Sequence, residues 1–196
     1  MKKKGLVMII IGLLLIAAAL AIVGYNIWDD NRAAKMSEDA LQKILPDILN
    51  NDEPSDKPLT GDMPVKTVDG VGYIGVISIP SLGIDLPVNG EWSYPALKNS
   101  PCRYVGSAYT DNMVICAHNY NWHFGQLKTL NYGDTVMFAD VNGNVFTYEV
   151  AEIETLRPTA VEDMTIGDEW DLTLFTCTIG GATRVTVRCV RTSNNF

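Results

Sequence analysis

Few side chains in this 196-residue sequence can do covalent chemistry, and one of its four cysteines stands out by its setting. Leu172-Thr173-Leu174-Phe175-Thr176 is an apolar, β-branched run that ends at Cys177, and Thr178-Ile179-Gly180-Gly181 follows as a small-residue loop. A thiol at the end of a strand beside a glycine loop is reachable by a substrate, whereas one inside the strand is not. Arg184 opens the next strand-like run, so a hairpin brings its guanidinium back beside Cys177. A thiol attacks as the thiolate, and a permanently charged guanidinium favours that anion and can then stabilise an oxyanion at the attacked carbonyl. A leaving amine needs a proton, which histidine supplies best near neutral pH. Of the two histidines, His118 closes the buried-looking run Met113-Val114-Ile115-Cys116-Ala117, and His123 lies in the polar-aromatic loop after it.

Neighbours of these groups have two readings each. Asn119 can orient the His118 imidazole or simply meet solvent and backbone. Thr176 can help bind an oxyanion, through backbone or hydroxyl, or simply pack in its strand. Arg188 and Arg191 compete with Arg184, but Arg188 lies four residues along the same strand face, about 13 Å away at the usual rise. A cysteine, a histidine and an arginine in one chain are weak evidence of a catalytic trio, because sequence gaps do not show that they meet.

The elements that must position them are mostly strands. From Val71 onward short apolar or alternating runs recur between turn residues: Tyr73–Ile79, Ile84–Val88, Met113–Ala117, Thr135–Ala139, Val145–Ile153, Leu172–Thr176 and Arg184–Arg191. Asn142-Gly143 is a strong hairpin turn, and residues 94–99 and 158–164 can each form a helical turn. Seven or eight short strands with few helices predict an all-β barrel or sandwich.

The chain before this domain has a different texture. Gly5 to Tyr25 carries no charge, and a helix of that length at ~1.5 Å per residue spans a hydrocarbon core of ~30 Å. Lys2, Lys3 and Lys4 precede it and Asp29 and Asp30 follow, which places the N-terminus in the cytoplasm and the remainder outside. Ala19-Leu20-Ala21 resembles a signal-peptidase site, but the apolar run continues to Val23, which favours an uncleaved anchor. Asn31 to Leu49 reads as an amphipathic helix capped by Ser37, with Leu41, Ile44, Leu45 and Ile48 on one face and Pro46 limiting or kinking it. Such a helix packs on the following domain or the membrane surface and needs no active-site role. Asn50 to Val65, rich in Asp, Pro, Asn and Gly, reads as a flexible spacer. The expected divisions are therefore 1–28 for the cytoplasmic stub and anchor, 29–66 for helix and linker, and 67–196 for the domain.

Charge and cysteine usage narrow the function classes. From Thr67 onward seven Lys/Arg face fourteen Asp/Glu, the wrong balance for a nucleic-acid partner. Cys116 and Cys189 lie in strand-like runs as candidate core residues, while Cys102, in a Ser-Pro-Cys stretch, is open to a bridge or a free thiol.

Thr173-Leu174-Phe175-Thr176-Cys177 resembles the TLxTC signature of sortases, with Arg184 where that family has its arginine and Val114–His118 like the strand that ends in its histidine. Gly72-Tyr73-Ile74-Gly75, Ile77-Ser78-Ile79-Pro80 and Leu86-Pro87-Val88 come before the histidine in family order, and Phe124, Leu127, Leu130 and Gly133-Asp134 come after it. The resemblance covers roughly residues 73–191; Ala117 stands where Gly is common, and Asn119 where a basic residue is. It implies a closed eight-stranded β-barrel with short helices behind one transmembrane helix, and a single-pass protein of a Gram-positive-type cell membrane. It also implies a cysteine transpeptidase in which Cys177 attacks the Thr carbonyl of an LPxTG-like motif, Arg184 steadies the oxyanion and His118 protonates the departing amine. The partners so implied are exported proteins with a C-terminal sorting signal, an amine on a peptidoglycan precursor, and the membrane through residues 5–25.

No cofactor is needed. Glu162, Asp163, Asp168 and Glu169 are reminiscent of the calcium site of some class A sortases, but they lack calcium-loop spacing and read first as a solvated acidic loop. The chain stops soon after its last strand without a second apolar segment, and residues 156–171 are too few for the class B insertion, so a class A- or D-like enzyme is expected rather than a pilin-polymerising class C one. Two other readings predict different products: a secreted cysteine endopeptidase would release peptide to water, and a non-catalytic β-barrel binding module would keep Cys177 as core.

Overall fold

The computed structural model describes residues 2–50, 59, 62–165 and 169–192. Nine strands lie among them: β1 (Lys66–Val68), β2 (Val71–Ile79), β3 (Ile84–Asn89), β4 (Cys102–Val105), β5 (Met113–Ala117), β6 (Thr135–Asp140), β7 (Val145–Leu156), β8 (Leu172–Cys177) and β9 (Arg184–Arg191). The order is β1-β2-β3-β4-β5-β8-β9-β7-β6, and β6 pairs back onto β2. That last pairing closes eight strands into a barrel and leaves β1 as a short extension on the edge of β2. The expected all-β, eight-stranded barrel is what the chain forms.

Closure has a local requirement that Gly75 meets. Its neighbour across the seam is Asp140, and a Cβ at Gly75 would lie 2.1 Å from the Ala139 carbonyl oxygen. A β-bulge between Tyr73 and Gly75 also shifts the register against β3. The shift explains why Ile74, Ile77 and Ile79 all point into the barrel while Tyr73 and Val76 point out. The interior is filled by Ile74, Ile77, Ile115, Phe124, Leu127, Phe138, Tyr148, Leu172 and Leu174, each fully buried. Two short helices cover the outside: α2 (Tyr94–Leu97), capped by Ser93, whose Oγ accepts the Ala96 N–H at 3.1 Å, and α3 (Val161–Thr165). Leu97 and Met164 pack from these helices onto Cys102, Val114, Cys116 and Phe175.

The N-terminal region departs from expectation. A single helix, α1, runs from Lys2 to Asn50 through the expected boundary at residue 28, and Pro46 lies inside it. Its apolar part has the length and composition to cross a membrane, with Leu6 to Val23 exposed, as a single-pass anchor requires. Beyond it Ala40, Ile44 and Ile48 are buried against Tyr73, Val76 and Val141 on the outside of the barrel, with Leu41 partly buried beside them. Leu45 remains exposed, so the apolar face is narrower than the sequence suggests. Ser37 is not a cap: no helix starts there, and its buried hydroxyl donates to Asn99 O at 2.7 Å. Ion pairs Lys43–Asp69 and Lys66–Asp47 tie the same helix to the region of β1. Most of the expected spacer, like Asp168, lies outside the described residues, but Met63 at its end is buried in the barrel core.

Candidate functional site

Strand pairing alone assembles the three predicted groups. β5 and β8 are adjacent and parallel, with Ala117 opposite Thr176, so His118 and Cys177 leave neighbouring strands at the same level. β8 and β9 are antiparallel, with Cys177 directly opposite Arg184. Adjacent strands lie ~4.8 Å apart, so residues 118, 177 and 184 stand on three neighbouring strand ends at one rim of the barrel. The intervening turn reverses the chain because Gly180 and Gly181 adopt φ of 80° and 73°, a region closed to most side chains. Thr178 braces the turn, its Oγ1 accepting the Thr183 N–H at 3.1 Å.

Burial separates the four thiols. All four cysteines are free. Burial pushes the Cys102 thiol up to about 11 and Cys189 up to about 12. Cys116 is pushed up still further, by burial first and then by Cys102 beside it. Those three are held neutral inside the structure. Cys177 alone is partly exposed, and it lines a cleft of about 510 Å³ with Thr176, Thr178, Ile179, Asn119 and Gln126. Cys102, which the sequence leaves open to a bridge or a free thiol, is a free thiol and the fully buried first residue of β4, in register with Cys116.

The arginines divide in the same way. The Arg184 guanidinium is half-buried and donates to Gly181 O and Thr183 O, both at 3.1 Å, within the turn that follows Cys177. Arg188 is buried, paired with Glu154 at 2.9 Å, and donates to Met164 O, Thr173 Oγ1 and Asp163 O. It pins α3 to the barrel. Arg191 pairs with Asp111 at 2.7 Å and lies over Phe146, 4.8 Å from the ring centroid.

Both histidines follow β5, yet only one faces the rim. His118 is half-buried, and burial lowers its pKa, with Asp29 opposing that shift and Lys98 adding to it. His123 is fully buried and pushed down to about 4, by burial first and then by His118. Its Nε2 lies 3.0 Å from Ser37 Oγ; since that hydroxyl donates its proton to Asn99 O, the imidazole must be the donor. Thr176 is buried and its hydroxyl donates to Ala117 O at 2.8 Å, tying β8 to the residue before His118. Asn119 is exposed at the lip of the cleft.

Helix α1 reaches this rim, which the sequence does not reveal. A second cleft, of about 380 Å³, lies between them and is lined by Asn26, Ile27, Asp29, Asp30, Tyr120 and Ile179, among others. Tyr120 donates to Asp29 at 2.6 Å, and no spacing or motif links residue 29 to residue 120. Among the described residues no group of three or more His, Cys, Asp or Glu could hold a metal ion.

A partly exposed thiol flanked by a histidine and an arginine on one barrel rim can form and resolve an acyl-thioester. Comparison with known proteins points the same way. The family described as Sortase domain matches residues 77–192. No curated protein matches. Among solved structures, sortase C1 from Streptococcus agalactiae is 27% identical with a TM-score of 0.58, covering 89% of this chain and 99% of that one. A Clostridium perfringens sortase D5 transpeptidase superposes with a TM-score of 0.64 at 19% identity, over 81% of this chain and 99% of its own. A lid mutant of sortase A from Corynebacterium diphtheriae gives 0.56 at 18%, over 81% and 97%. The solved structures this chain resembles span classes C, D and A, with class C the most frequent among them, so they do not single out the class A- or D-like subclass. With the family match extending over more than half of its length, the chain belongs to the sortases, a family of cysteine transpeptidases.

Proposed function

We propose that the chain cleaves an LPxTG-like sorting motif in exported proteins and transfers the acyl group to a cell-wall amine. Cys177, as thiolate, attacks the Thr carbonyl; Arg184 moves from its turn carbonyls to the developing oxyanion; His118 donates a proton to the leaving amine. An amine on a peptidoglycan precursor then resolves the thioester. The observation that carries this reading is the register that sets Cys177 opposite Arg184 and level with His118. Residues 5–25 anchor the enzyme in the cell membrane with Lys2–Lys4 inside, and the 67–196 domain works outside, beyond the 29–66 segment. Within the family we favour a class A- or D-like anchoring enzyme, for which the short 156–171 connection is the main support against class B.

Intact-mass analysis after incubation with a library of sorting peptides tests the proposal. A covalent adduct is expected on the wild type and on Cys116→Ala, and none on Cys177→Ala. Adding triglycine should convert the adduct into an amide product; release to water alone, unchanged by triglycine, would identify an endopeptidase. No adduct with any sorting peptide would support a binding module and sink the transpeptidase reading.

A further inference from the structure

Helix α1 continues past its apolar segment, and the turns from Asp29 to Ser37 lie against the loops that flank the rim. Asp30 accepts both the backbone N–H and the Nδ2 of Asn121, each at 2.9 Å. Arg32 donates to Asn99 Oδ1 and Lys98 O, each at 3.0 Å, and Ser37 bridges Asn99 O and His123. These contacts fix the helix to the barrel, and docking accounts for them fully.

Asp29 differs, because its carboxylate binds the tyrosine that packs on the catalytic candidate. One oxygen accepts from Tyr120 Oη at 2.6 Å and the other from Arg32 Nε at 3.0 Å. The Tyr120 ring in turn packs against His118, with centroids 5.2 Å apart, and against His123 at 5.4 Å. The hydrogen bond to Tyr120 holds the Asp29 carboxyl below its ordinary range, so the group is an anion at neutral pH. Burial and that same bond push the Tyr120 phenol up to about 12, so it remains a donor. An anion thus stands behind a tyrosine that presses on the histidine.

We propose that Asp29 is a positioning residue for His118: acting through Tyr120, it sets the orientation of the imidazole and favours its protonated form. The inference rests on His118 being the proton donor of the proposed reaction. Asp29 lies four residues after Tyr25, about 6 Å along the helix from the end of the apolar segment. The membrane-proximal turn of the anchor helix is then a working part of the active site, and the catalytic rim is held next to the bilayer.

The groups that bear on His118 are Asp29 from α1, Lys98 from the segment after α2, His123 and Tyr120 from its own loop, and Cys177 and Arg184 at the ends of β8 and β9. Burial lowers the His118 pKa most; Asp29 opposes that shift and Lys98 adds to it. The test uses the full chain in phospholipid nanodiscs with 15N-labelled histidine, and reads the His118 titration by NMR alongside Cys177 acylation kinetics.

Asp29→Asn should lower the His118 midpoint by roughly half a unit and lower kcat for acylation about tenfold, with KM within about twofold. Tyr120→Phe should cause a comparable kcat loss, and the double variant should be no worse than either single one, since both act along one path. Asp29→Glu should recover the midpoint. Lys43→Ala, which removes a tether of the same helix far from the rim, should change neither readout. An unmoved His118 midpoint in Asp29→Asn, or an equal shift in Lys43→Ala, overturns the proposal. A shifted midpoint in a protein that forms no acyl-enzyme with any sorting peptide would keep the contact and overturn the transpeptidase reading instead.

Discussion

Each residue type that the chemistry needs occurs at least twice, once at the barrel rim and again in the interior. Cys177 at the rim is partly exposed, whereas Cys116, two residues before His118, is buried and held neutral. Among the described residues Arg184 at the start of β9 is hydrogen-bonded to carbonyls of its own turn, whereas Arg188 in mid-strand has four partners and a buried charge. His118 reaches the rim, and His123 is sealed beneath helix α1. Residue type therefore says little about role in this protein. A residue at a strand end can meet a substrate; the same residue type inside a strand or under helix α1 is engaged in holding the barrel together.

The arginine pair gives the largest contrast. Arg184→Ala should lower acylation by about 10²–10³-fold, the loss expected when an oxyanion donor is removed, with stability changed by less than about 1 kcal/mol. Arg188→Met should do the reverse: it leaves Glu154 without its cation and three acceptors unfilled, at a cost of roughly 3 kcal/mol. Acylation per folded molecule should then stay within a few-fold of wild type. Paired denaturant curves and single-turnover acylation on both variants measure this. If Arg184→Ala lost stability rather than turnover, the rim would be structural and the comparison would collapse.

The histidines separate by pH. His123 is pushed from an ordinary 6.5 down to about 4 in the fold, so protons bind the unfolded chain more readily than the folded one. Its contribution is complete above pH 6.5 and is lost as pH falls through that value, levelling off near pH 4. Over that window the wild type should lose about 3 kcal/mol attributable to this group. His123→Gln should start lower, because the bond to Ser37 is disturbed, but should show a shallower acid limb. His118→Gln should leave the limb nearly as steep as in wild type, because that ring is only half-buried, while abolishing most of the acylation. Urea unfolding at half-unit pH steps distinguishes the two.

How much of this was legible in the sequence depends on the range of the contacts. The rim could be read because it is built locally: the strand before Cys177, the glycine turn and the strand from Arg184 are contiguous, and their hairpin pairing follows from the turn. The barrel was legible from alternating runs, but β1 and β4 were not. Both are short, and β4 begins after Ser100-Pro101, a pair that signals a break; its pairing with β5 makes it a strand. The role of α1 was illegible for the opposite reason. Asp29 and Asp30 read well as flanking charges of an apolar segment, and Ser37 as a helix cap, because their true partners are more than sixty residues away in sequence. Local rules have no access to such contacts.

The threonines supply the smallest and most discriminating test of rim against interior. Thr176 and Thr186 sit on paired strands one register step apart, and both are buried. The Thr176 hydroxyl donates to Ala117 O, the carbonyl just before His118, whereas the Thr186 hydroxyl has no partner among the described residues. A buried hydroxyl that makes its bond is worth about 1 kcal/mol, and one that does not carries a desolvation cost of similar size. Thr176→Val should therefore destabilise by about 1 kcal/mol and, by loosening the strand end under His118, slow acylation severalfold. Thr186→Val should stabilise by up to about 1 kcal/mol and leave acylation unchanged. Equal and opposite shifts from two identical substitutions on neighbouring strands would show that hydrogen-bond satisfaction, rather than burial, distinguishes the rim. A loss of stability in Thr186→Val as large as that in Thr176→Val would show that both hydroxyls are satisfied, and the distinction would then rest on access to the cleft alone.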